Sequence, residues 1–339
     1  MLRRIWRVAI KAIQRLEMAA AWLVSLFQQR QTYVVERLPG RDDGVLTGKV
    51  CVFAHFDRKG EIHDYVLYYL KDLRRAGFKI VFVSNASRPI RHGVAEVSGL
   101  ADRVLRRKNI GGYFGAYKDG IAAIEDLSKV DLLLLANDSL YGPLSSLGDV
   151  FRRISGLRGQ FWSLTDSWER AYHLDTDFIL FGREAIASPA FKSFWAKLRY
   201  INSKNYVFRQ YEVGLSQSLI KGGLRGSALC SYRDASRAVI DAVRAGALQE
   251  EAKDDERQYH LRIVYKLIQK GQPFNISAYL WDYLITAMGY PFIKSDLFQR
   301  STVKAPYISY WQRIVSQESG YDPDLIVRHL EATLKSRFT

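Results

Sequence analysis

Residues 130–136 (VDLLLLA) form a nearly continuous apolar run that leads into Asn137-Asp138-Ser139. Residues 49–55 (KVCVFAH) and 78–84 (FKIVFVS) have the same character. Such runs are typical of strands that are covered on both faces, as in a parallel sheet. Between the runs, apolar residues recur at helical spacing, and the connections are mostly short. This alternation predicts an α/β fold with a mainly parallel sheet flanked by helices.

The remaining pattern divides the chain into parts. Further strands are predicted at 101–105, 160–164 and 177–181, and helices at 62–75, 117–127 and 146–154. The last third has helical segments at 235–245, 258–270, 278–288 and 324–335 and no apolar strand run. We therefore predict an amphipathic helix within residues 1–36, a sheet domain over 46–235 and a helical C-terminal extension over 236–339.

Composition excludes several classes of protein. The chain has 339 residues and 48% hydrophobic content, which is ample for a packed core and argues against a disordered or fibrous protein. Two cysteines, Cys51 and Cys230, are too few for a disulfide scaffold and fit a reducing compartment. The formal net charge of +15 indicates a polyanionic partner: nucleic acid, an anionic membrane or a phosphorylated ligand.

The first thirty residues hold six basic residues and one acidic residue, Glu17, a local balance of +5. Apolar residues from Leu2 to Phe27 recur every three or four positions, and most of the basic residues lie off that stripe. Such a helix suits a membrane interface, and its apolar stretch over 18–27 is too short to cross a bilayer. Two other interpretations stay open: packing of the stripe on the protein itself, and a secretory signal peptide, although no small-residue cleavage signature follows Phe27.

Polar residues follow the predicted strands, where open α/β sheets bind their ligands. Asp57 follows the first strand, Asn85 the second and Asp138 the most apolar one. Each also has a structural interpretation. Asn85 could cap a helix, and Asn137-Asp138-Ser139 could form a turn before Gly142-Pro143.

The order of motifs resembles a GT-A glycosyltransferase, a Rossmann-like fold that uses nucleotide sugars. The segments in question are VSNAS (83–87), NIGGYFGAYKDGI (109–121), LLLLANDS (132–139) and YEVGLSQSLIKGG (211–223). More narrowly, the chain resembles the rhamnan synthesis protein F family of polysaccharide glycosyltransferases over roughly residues 50–335. The strings that carry this resemblance are FDRKGEIHDYVLYYL, GGYFGAYKDGI, LLLLANDSLYGPL, HLDTDFILF and YPFIKSDLF.

The resemblance implies a GT-A-like mixed sheet and an inverting transfer of a sugar, such as rhamnose or another deoxyhexose, from a nucleotide diphosphate sugar. Glu212 is then the expected catalytic base, and Asp138 the expected ligand of Mg²⁺ or Mn²⁺. The expected donor-binding residues are Asp57, Asn85, Asn109, Gly112, Lys118, Asp119 and Asn137. The expected acceptor-side residues are Tyr141, Trp162, Asp166 and His173.

The sequence departs from the GT-A pattern at two places and from the pattern of the rhamnan synthesis protein F family at a third, where members often have glutamine and serine after the HL of the extended segment. The acidic motif holds one carboxylate, in Asn137-Asp138-Ser139, where two are usual. The acidic pair is reduced to Glu212, with Val213 beside it, and Asp175 and Thr176 follow the HL of the extended segment.

The resemblance also implies a growing, lipid-linked cell-surface polysaccharide as acceptor, of the O-antigen or lipopolysaccharide kind. We expect a peripheral enzyme at the cytoplasmic face of the plasma membrane, held to the anionic surface by its N-terminal helix, with other polysaccharide-assembly enzymes as further partners. The alternatives are an inactive scaffold of an assembly complex and a basic nucleic-acid-binding protein. No nucleic-acid partner is expected, because the chain has no recognised binding motif, and zinc spacing, a Walker sequence and a G-x-S-x-G elbow are also missing.

Overall fold

The computed structural model describes residues 2–27, 32–42, 44–86, 88–248, 256–299 and 308–335. Its strands are β1 (Val34–Leu38), β2 (Gly48–His55), β3 (Lys79–Ser84), β4 (Arg103–Arg107), β5 (Val130–Asn137), β6 (Leu140–Tyr141), β7 (Phe161–Ser167), β8 (His173–Leu174), β9 (Phe178–Gly182), β10 (Gly226–Cys230) and β11 (Ile293–Lys294).

Helices surround these strands. They are α1 (Leu2–Phe27), α2 (Asp64–Arg75), α3 (Val94–Leu100), α4 (Gly112–Ile121), α5 (Leu147–Ser155), α6 (Arg183–Ala187), α7 (Pro189–Lys197), α8 (Lys204–Tyr206), α9 (Val213–Lys221), α10 (Tyr232–Arg244), α11 (Glu256–Gln269), α12 (Ile276–Tyr279), α13 (Trp281–Met288), α14 (Asp296–Gln299), α15 (Trp311–Glu318) and α16 (Asp324–Lys335). A 3₁₀ turn covers Leu127–Lys129, and a π-helix covers Val207–Glu212.

The strands form a nine-stranded mixed sheet in the order β1-β4-β3-β2-β5-β9-β7-β10, and β8 pairs with β7. The stretch β4-β3-β2-β5 is parallel, whereas β9 runs antiparallel to both β5 and β7. The predicted α/β class, with a mixed Rossmann-like sheet flanked by helices and a helical C-terminal region, is confirmed. β5 lies near the middle of the sheet, which explains its continuous apolar run, since Leu133–Ala136 are fully buried.

Two hydrophobic layers cover the sheet. Val50 and Val52 of β2 point to the layer that contains Ala116 of α4 and Leu215 of α9. The intervening Cys51 and Phe53 point to the other layer, with α2, α5 and the C-terminal helices, where Trp281 and Ile326 are buried. The alternation follows from the two-residue period of a strand. The C-terminal helices thus share a core with the sheet, and the boundary at 235/236 stays a prediction.

Several element boundaries differ from the predicted ones. The helix expected at 117–127 is α4, which begins at Gly112 because Gly111, with φ of +83°, turns the chain into it. The strand expected at 101–105 is β4, two residues later. The helical C-terminal region also contains one short strand that was not predicted, β11, which pairs with β6. β11 has two residues and depends on its partner, so no local pattern marks it.

α1 is amphipathic, as predicted, but the interpretation that its apolar stripe packs on the protein is contradicted. Leu16, Leu23 and Phe27 are 71%, 53% and 91% exposed. The helix contacts the body along a side that adjoins the apolar stripe, where the Glu17 carboxylate accepts hydrogen bonds from Ser203 (2.8 Å) and Asn205 (2.7 Å). Within the described ranges, no helix combines the length and the apolarity needed to cross a bilayer.

Candidate active site

A cavity of about 1060 Å³ opens beyond the carboxyl ends of β2 and β5. We call it the central cavity. Seven of the predicted site residues line it: Asp57, Asn109, Gly112, Asn137, Asp138, His173 and Glu212. The location is the one that the parallel arrangement of β2 and β5 predicts, because both strands end at the same edge of the sheet.

Asp138 is held at the base of this cavity. Its Oδ2 accepts a hydrogen bond from the backbone N–H of Phe56 (2.9 Å), and its Oδ1 accepts one from the Tyr113 hydroxyl (3.0 Å). Burial raises the pKa of Asp138 to about 7, although these two hydrogen bonds oppose the rise. The carboxyl therefore titrates near neutrality.

Asn137 links three parts of the cavity wall. Its side-chain amide donates to the Tyr117 hydroxyl (3.1 Å) and to the carboxylate of Asp177 (3.1 Å). Its side-chain carbonyl oxygen accepts from the backbone N–H and the hydroxyl of Ser139. Every polar atom of the side chain is thus used within the protein, and Asn137 orders the wall around Asp138.

Asp57 lies on the loop after β2. Its Oδ1 accepts hydrogen bonds from the backbone N–H groups of Lys59 (2.7 Å) and Glu61 (3.0 Å), and its Oδ2 lies 3.7 Å from His63. Burial alone would raise the pKa of Asp57, but these contacts lower it well below its usual range. The loop therefore presents an ionised, rigidly held carboxylate to the cavity.

Glu212 ends the π-helix that forms another wall of the cavity. A π-helix is rare and often marks a functional site, because the extra residue per turn turns a side chain in a new direction. Burial and then the neighbouring Asp177 and Asp175 raise the pKa of Glu212 to about 8, against the opposing effect of Lys294. Glu212 is thus a half-buried carboxyl that can exchange a proton near neutral pH.

Lys294 is a cavity residue that the sequence reasoning missed, since its segment (290–294) reads as core and helix-connecting structure. Its ammonium lies 2.5 Å from Asp175 and 2.9 Å from Asp177. Burial lowers the pKa of Lys294, but the two carboxylates together raise it well above its usual value. Lys294 lies on β11, which pairs with β6. Because β6 directly follows Asp138 and Ser139 in the chain, this pairing places the lysine in the cavity wall. In the sequence, the one indication of a role for Lys294 was that it lies within YPFIKSDLF, a string that carries the family resemblance.

Three predicted donor-binding residues lie outside the central cavity. Two of them belong to a buried network between the end of β4 and α4. The guanidinium of Arg107 is fully buried and contacts Asp119 (2.6 Å) and Asn85 (2.5 Å). Asp119 also accepts a hydrogen bond from the Tyr200 hydroxyl (2.6 Å), and Lys118 donates to the carbonyl of Leu198 (2.5 Å). Asp119, Asn85 and Lys118 are therefore committed to internal contacts, which the isolated motifs could not show.

Three predicted acceptor-side residues also lie elsewhere. The Tyr141 hydroxyl bonds with His329 (2.6 Å) inside the core between β6 and α16. Trp162 donates to the carbonyl of Leu157 (3.3 Å), and Asp166 accepts from the backbone N–H of Tyr232 (2.5 Å). His173 is the acceptor-side candidate that lines the cavity.

The described residues do not assemble a metal site of their own. No group of three His, Cys, Asp or Glu side chains among them has a geometry that could hold a metal ion. Asp138, the predicted ligand, already accepts a hydrogen bond at each carboxylate oxygen. A Mg²⁺ or Mn²⁺ ion would therefore need a diphosphate and water for most of its ligands.

The cavity lining is acidic although the chain is strongly basic. Its described acidic residues are Asp57, Glu61, Asp138, Glu169, Asp175, Asp177, Glu212 and Asp296, and its described lysines and arginines are Arg58, Lys59, Lys204 and Lys294. The net charge of +15 therefore lies mainly elsewhere. Of these basic residues, Arg58 and Lys59 are exposed on the loop after β2, and Lys204 is exposed at the start of α8.

The fold and this site define a Rossmann-like α/β protein with a ligand cavity at the carboxyl ends of its parallel strands. The family model described as rhamnan synthesis protein F matches residues 80–243, just under half of the chain. The predicted resemblance is thereby confirmed over that region. The chain is thus similar in this region to a family that is described by its part in rhamnan synthesis.

Two curated relatives extend the comparison. The chain is 29% identical over 174 residues to the uncharacterised protein y4gN of Sinorhizobium fredii, a match that covers 50% of this chain and 45% of the relative. It is 24% identical over 267 residues to the virulence protein VirA of Vibrio anguillarum, which covers 76% of this chain and 82% of the relative. The chain thus spans less than half of the first relative and most of the second.

Proposed function

We propose that the chain is an inverting glycosyltransferase of polysaccharide synthesis. It transfers a sugar, such as rhamnose or another deoxyhexose, from a nucleotide diphosphate sugar to a growing glycan. The observation that carries this proposal is Glu212, a half-buried carboxyl with a pKa of about 8 in a cavity large enough for a nucleotide sugar. The family match supports the polysaccharide context.

In the proposed reaction, the carboxylate of Glu212 takes the proton of the acceptor hydroxyl as that oxygen attacks the anomeric carbon. The bond between this carbon and the diphosphate oxygen breaks, and the nucleotide diphosphate leaves with the electron pair. In-line attack inverts the anomeric configuration. Glu212 ends the step as a neutral carboxylic acid, the form that its buried environment favours.

Arg58 and Lys59 are the proposed donor-side cations, because they are exposed at the rim that Asp57 and the end of β2 form. Gly112 has a φ of +55°, and a Cβ at this position would meet no atom within 4 Å, so the backbone here borders open space for a ligand. Asn109 is the further proposed contact to the donor, and His173 is the proposed contact to the acceptor. Lys294 holds Asp175 and Asp177 in place. The acceptor in this proposal is a lipid-linked glycan.

The test is a donor screen scored by nucleotide release, with a lipid-linked acceptor present. Glu212→Gln should retain donor binding and lose at least about 100-fold in transfer, the usual contribution of a general base. The matched control is Asp166→Asn, the same type of change at a buried carboxyl outside the cavity. Near-normal turnover by Glu212→Gln would remove the base assignment. Donor binding without nucleotide release by the unmodified protein would support the inactive-scaffold alternative.

A further inference from the structure

Exposed apolar side chains run along the outer side of α1. Ile13, Leu16, Leu23 and Phe27 recur at helical spacing and are each more than half exposed. Where the helix meets the body, Glu17 and Gln14 make polar contacts and the Trp22 ring lies 5.6 Å from the guanidinium of Arg199. A continuous apolar patch of this kind on a protein surface marks an interaction site.

Three arginines lie beside this helix. Arg15 is exposed on α1, Arg209 belongs to the π-helix, and Arg170 lies in the turn between β7 and β8. Arg209 donates from Nη2 to the side chain of Gln14 (3.2 Å), and its Nε is buried without a hydrogen-bond partner, which leaves Nη1 as the group free to bind a phosphate oxygen. Loss of hydration, and then the proximity of Arg170 and Arg15, lowers the pKa of Arg209. Positive charges therefore face one another here.

Arg170 lies near Arg209. Its φ of +72° lies in the left-handed region, which non-glycine residues rarely adopt. Its guanidinium lies 5.9 Å from the centre of the Phe208 ring, and Phe208 lines the central cavity. Trp168, in the same turn, is 52% exposed. The acidic groups facing this region are Glu169, which lines the cavity, and Glu17, which Ser203 and Asn205 engage.

We propose that α1 lies on an anionic phospholipid bilayer, with its apolar side among the acyl chains and Arg15, Arg170 and Arg209 bound to lipid phosphates. Guanidinium groups bind phosphate oxygens in pairs of parallel hydrogen bonds, which suits these converging side chains. The exposed apolar residues of α1, the exposed Trp168 and the three arginines are the two kinds of group that a membrane interface binds.

This surface adjoins the wall of the cavity. Ser203 and Asn205 contact α1, Phe208 lines the cavity, and the same segment ends at Glu212. A bilayer bound to α1 would therefore lie next to the mouth of the cavity, where a lipid-linked acceptor arrives. This last consequence rests on the proposed function, whereas the binding itself does not.

The experiment measures co-sedimentation of the full chain with vesicles, without any sugar donor. Vesicles of phosphatidylglycerol and phosphatidylcholine are compared with vesicles of phosphatidylcholine alone. The variant Arg170→Gln/Arg209→Gln should bind anionic vesicles about 10- to 30-fold more weakly, at roughly one factor of five per arginine. The control Arg233→Gln/Arg237→Gln removes the same charge from exposed positions of α10 and should change binding less than about twofold.

A second arm reports insertion of α1. Both native cysteines are buried, so an environment-sensitive dye can be attached selectively to Leu23→Cys, with Glu318→Cys on α15 as the reference position. On anionic vesicles, the dye at residue 23 should shift to shorter wavelength, and the dye at 318 should not. Leu16→Gln/Leu23→Gln, which alters exposed positions alone, should also weaken vesicle binding at least about tenfold.

Equal losses in the two arginine double variants would overturn the phosphate assignment, because long-range charge would then account for binding. An unchanged dye spectrum at residue 23 would overturn the orientation of α1. Since no donor is used, absence of glycosyl transfer would leave both results intact.

Discussion

The buried ion pair between Arg107 and Asp119 allows a sharp test of the fold. We expect Asp119→Asn to destabilise the protein strongly although the new side chain has nearly the same shape. Both side chains of the pair are at most 1% exposed, so water cannot reach the guanidinium once its counter-charge is removed. Breaking a buried pair from one side costs about 3–5 kcal/mol.

The matched control is Glu36→Gln, which removes one carboxylate from the neighbouring pair with Arg106. That contact is equally short, at 2.6 Å, but Glu36 is 40% exposed and Arg106 is 19% exposed. A surface pair is worth about 0–1 kcal/mol, because solvent screens the charges.

Thermal unfolding followed by circular dichroism measures both variants. Asp119→Asn should lower Tm by on the order of 10 °C, and Glu36→Gln by less than about 4 °C. Equal shifts would refute the reasoning, because burial would then not decide the cost of the lost charge. Nucleotide-sugar affinity of Asp119→Asn, measured well below its Tm, should stay within about threefold of that of the unmodified protein, since Asp119 lies outside the cavity. A selective loss of affinity would restore the nucleotide-binding role that the sequence suggested.

Other predictions concern the cavity. Because the ionised form of Glu212 is the base and its pKa is about 8, transfer at saturating substrate should rise about tenfold from pH 6 to pH 7 and level off above pH 8; a flat profile would contradict this. Lys294→Met removes the cation that opposes the raised pKa of Glu212, so the rate of transfer should level off at a higher pH. Lys294→Arg keeps the charge and should leave the pH profile unchanged. An unchanged profile in both variants would argue against an electrostatic effect of Lys294 on Glu212. Mn²⁺ titrated calorimetrically without nucleotide should bind no tighter than about 1 mM, and a micromolar site lost in Asp138→Ala would show that Asp138 binds metal unaided. Arg58→Gln/Lys59→Gln should weaken donor binding about tenfold or more, measured by nucleotide displacement, because two cations at the rim are lost.

Much of the site was accessible from the sequence because strand ends are recognisable. Continuous apolar runs located β2 and β5, and the residues that follow them, Asp57 and Asp138, line the cavity as the parallel arrangement requires. Glu212 also lines it, although the π-helix that presents it has no sequence signature. Asn85 lies outside the cavity. It follows β3 as expected, but the buried guanidinium of Arg107 takes its side chain.

The amino-acid sequence by itself determined the strand-helix alternation, the apolar centre of the sheet and the amphipathic character of α1, since each depends on residue spacing along a single element. Only the tertiary structure decided which polar side chains share the cavity. Lys294 meets Asp175 across 119 positions of chain, and Arg107 meets Asp119 beneath the sheet instead of a ligand. These contacts form because burying a charge is costly unless an opposite charge lies beside it, and that condition acts between elements that are distant in the sequence.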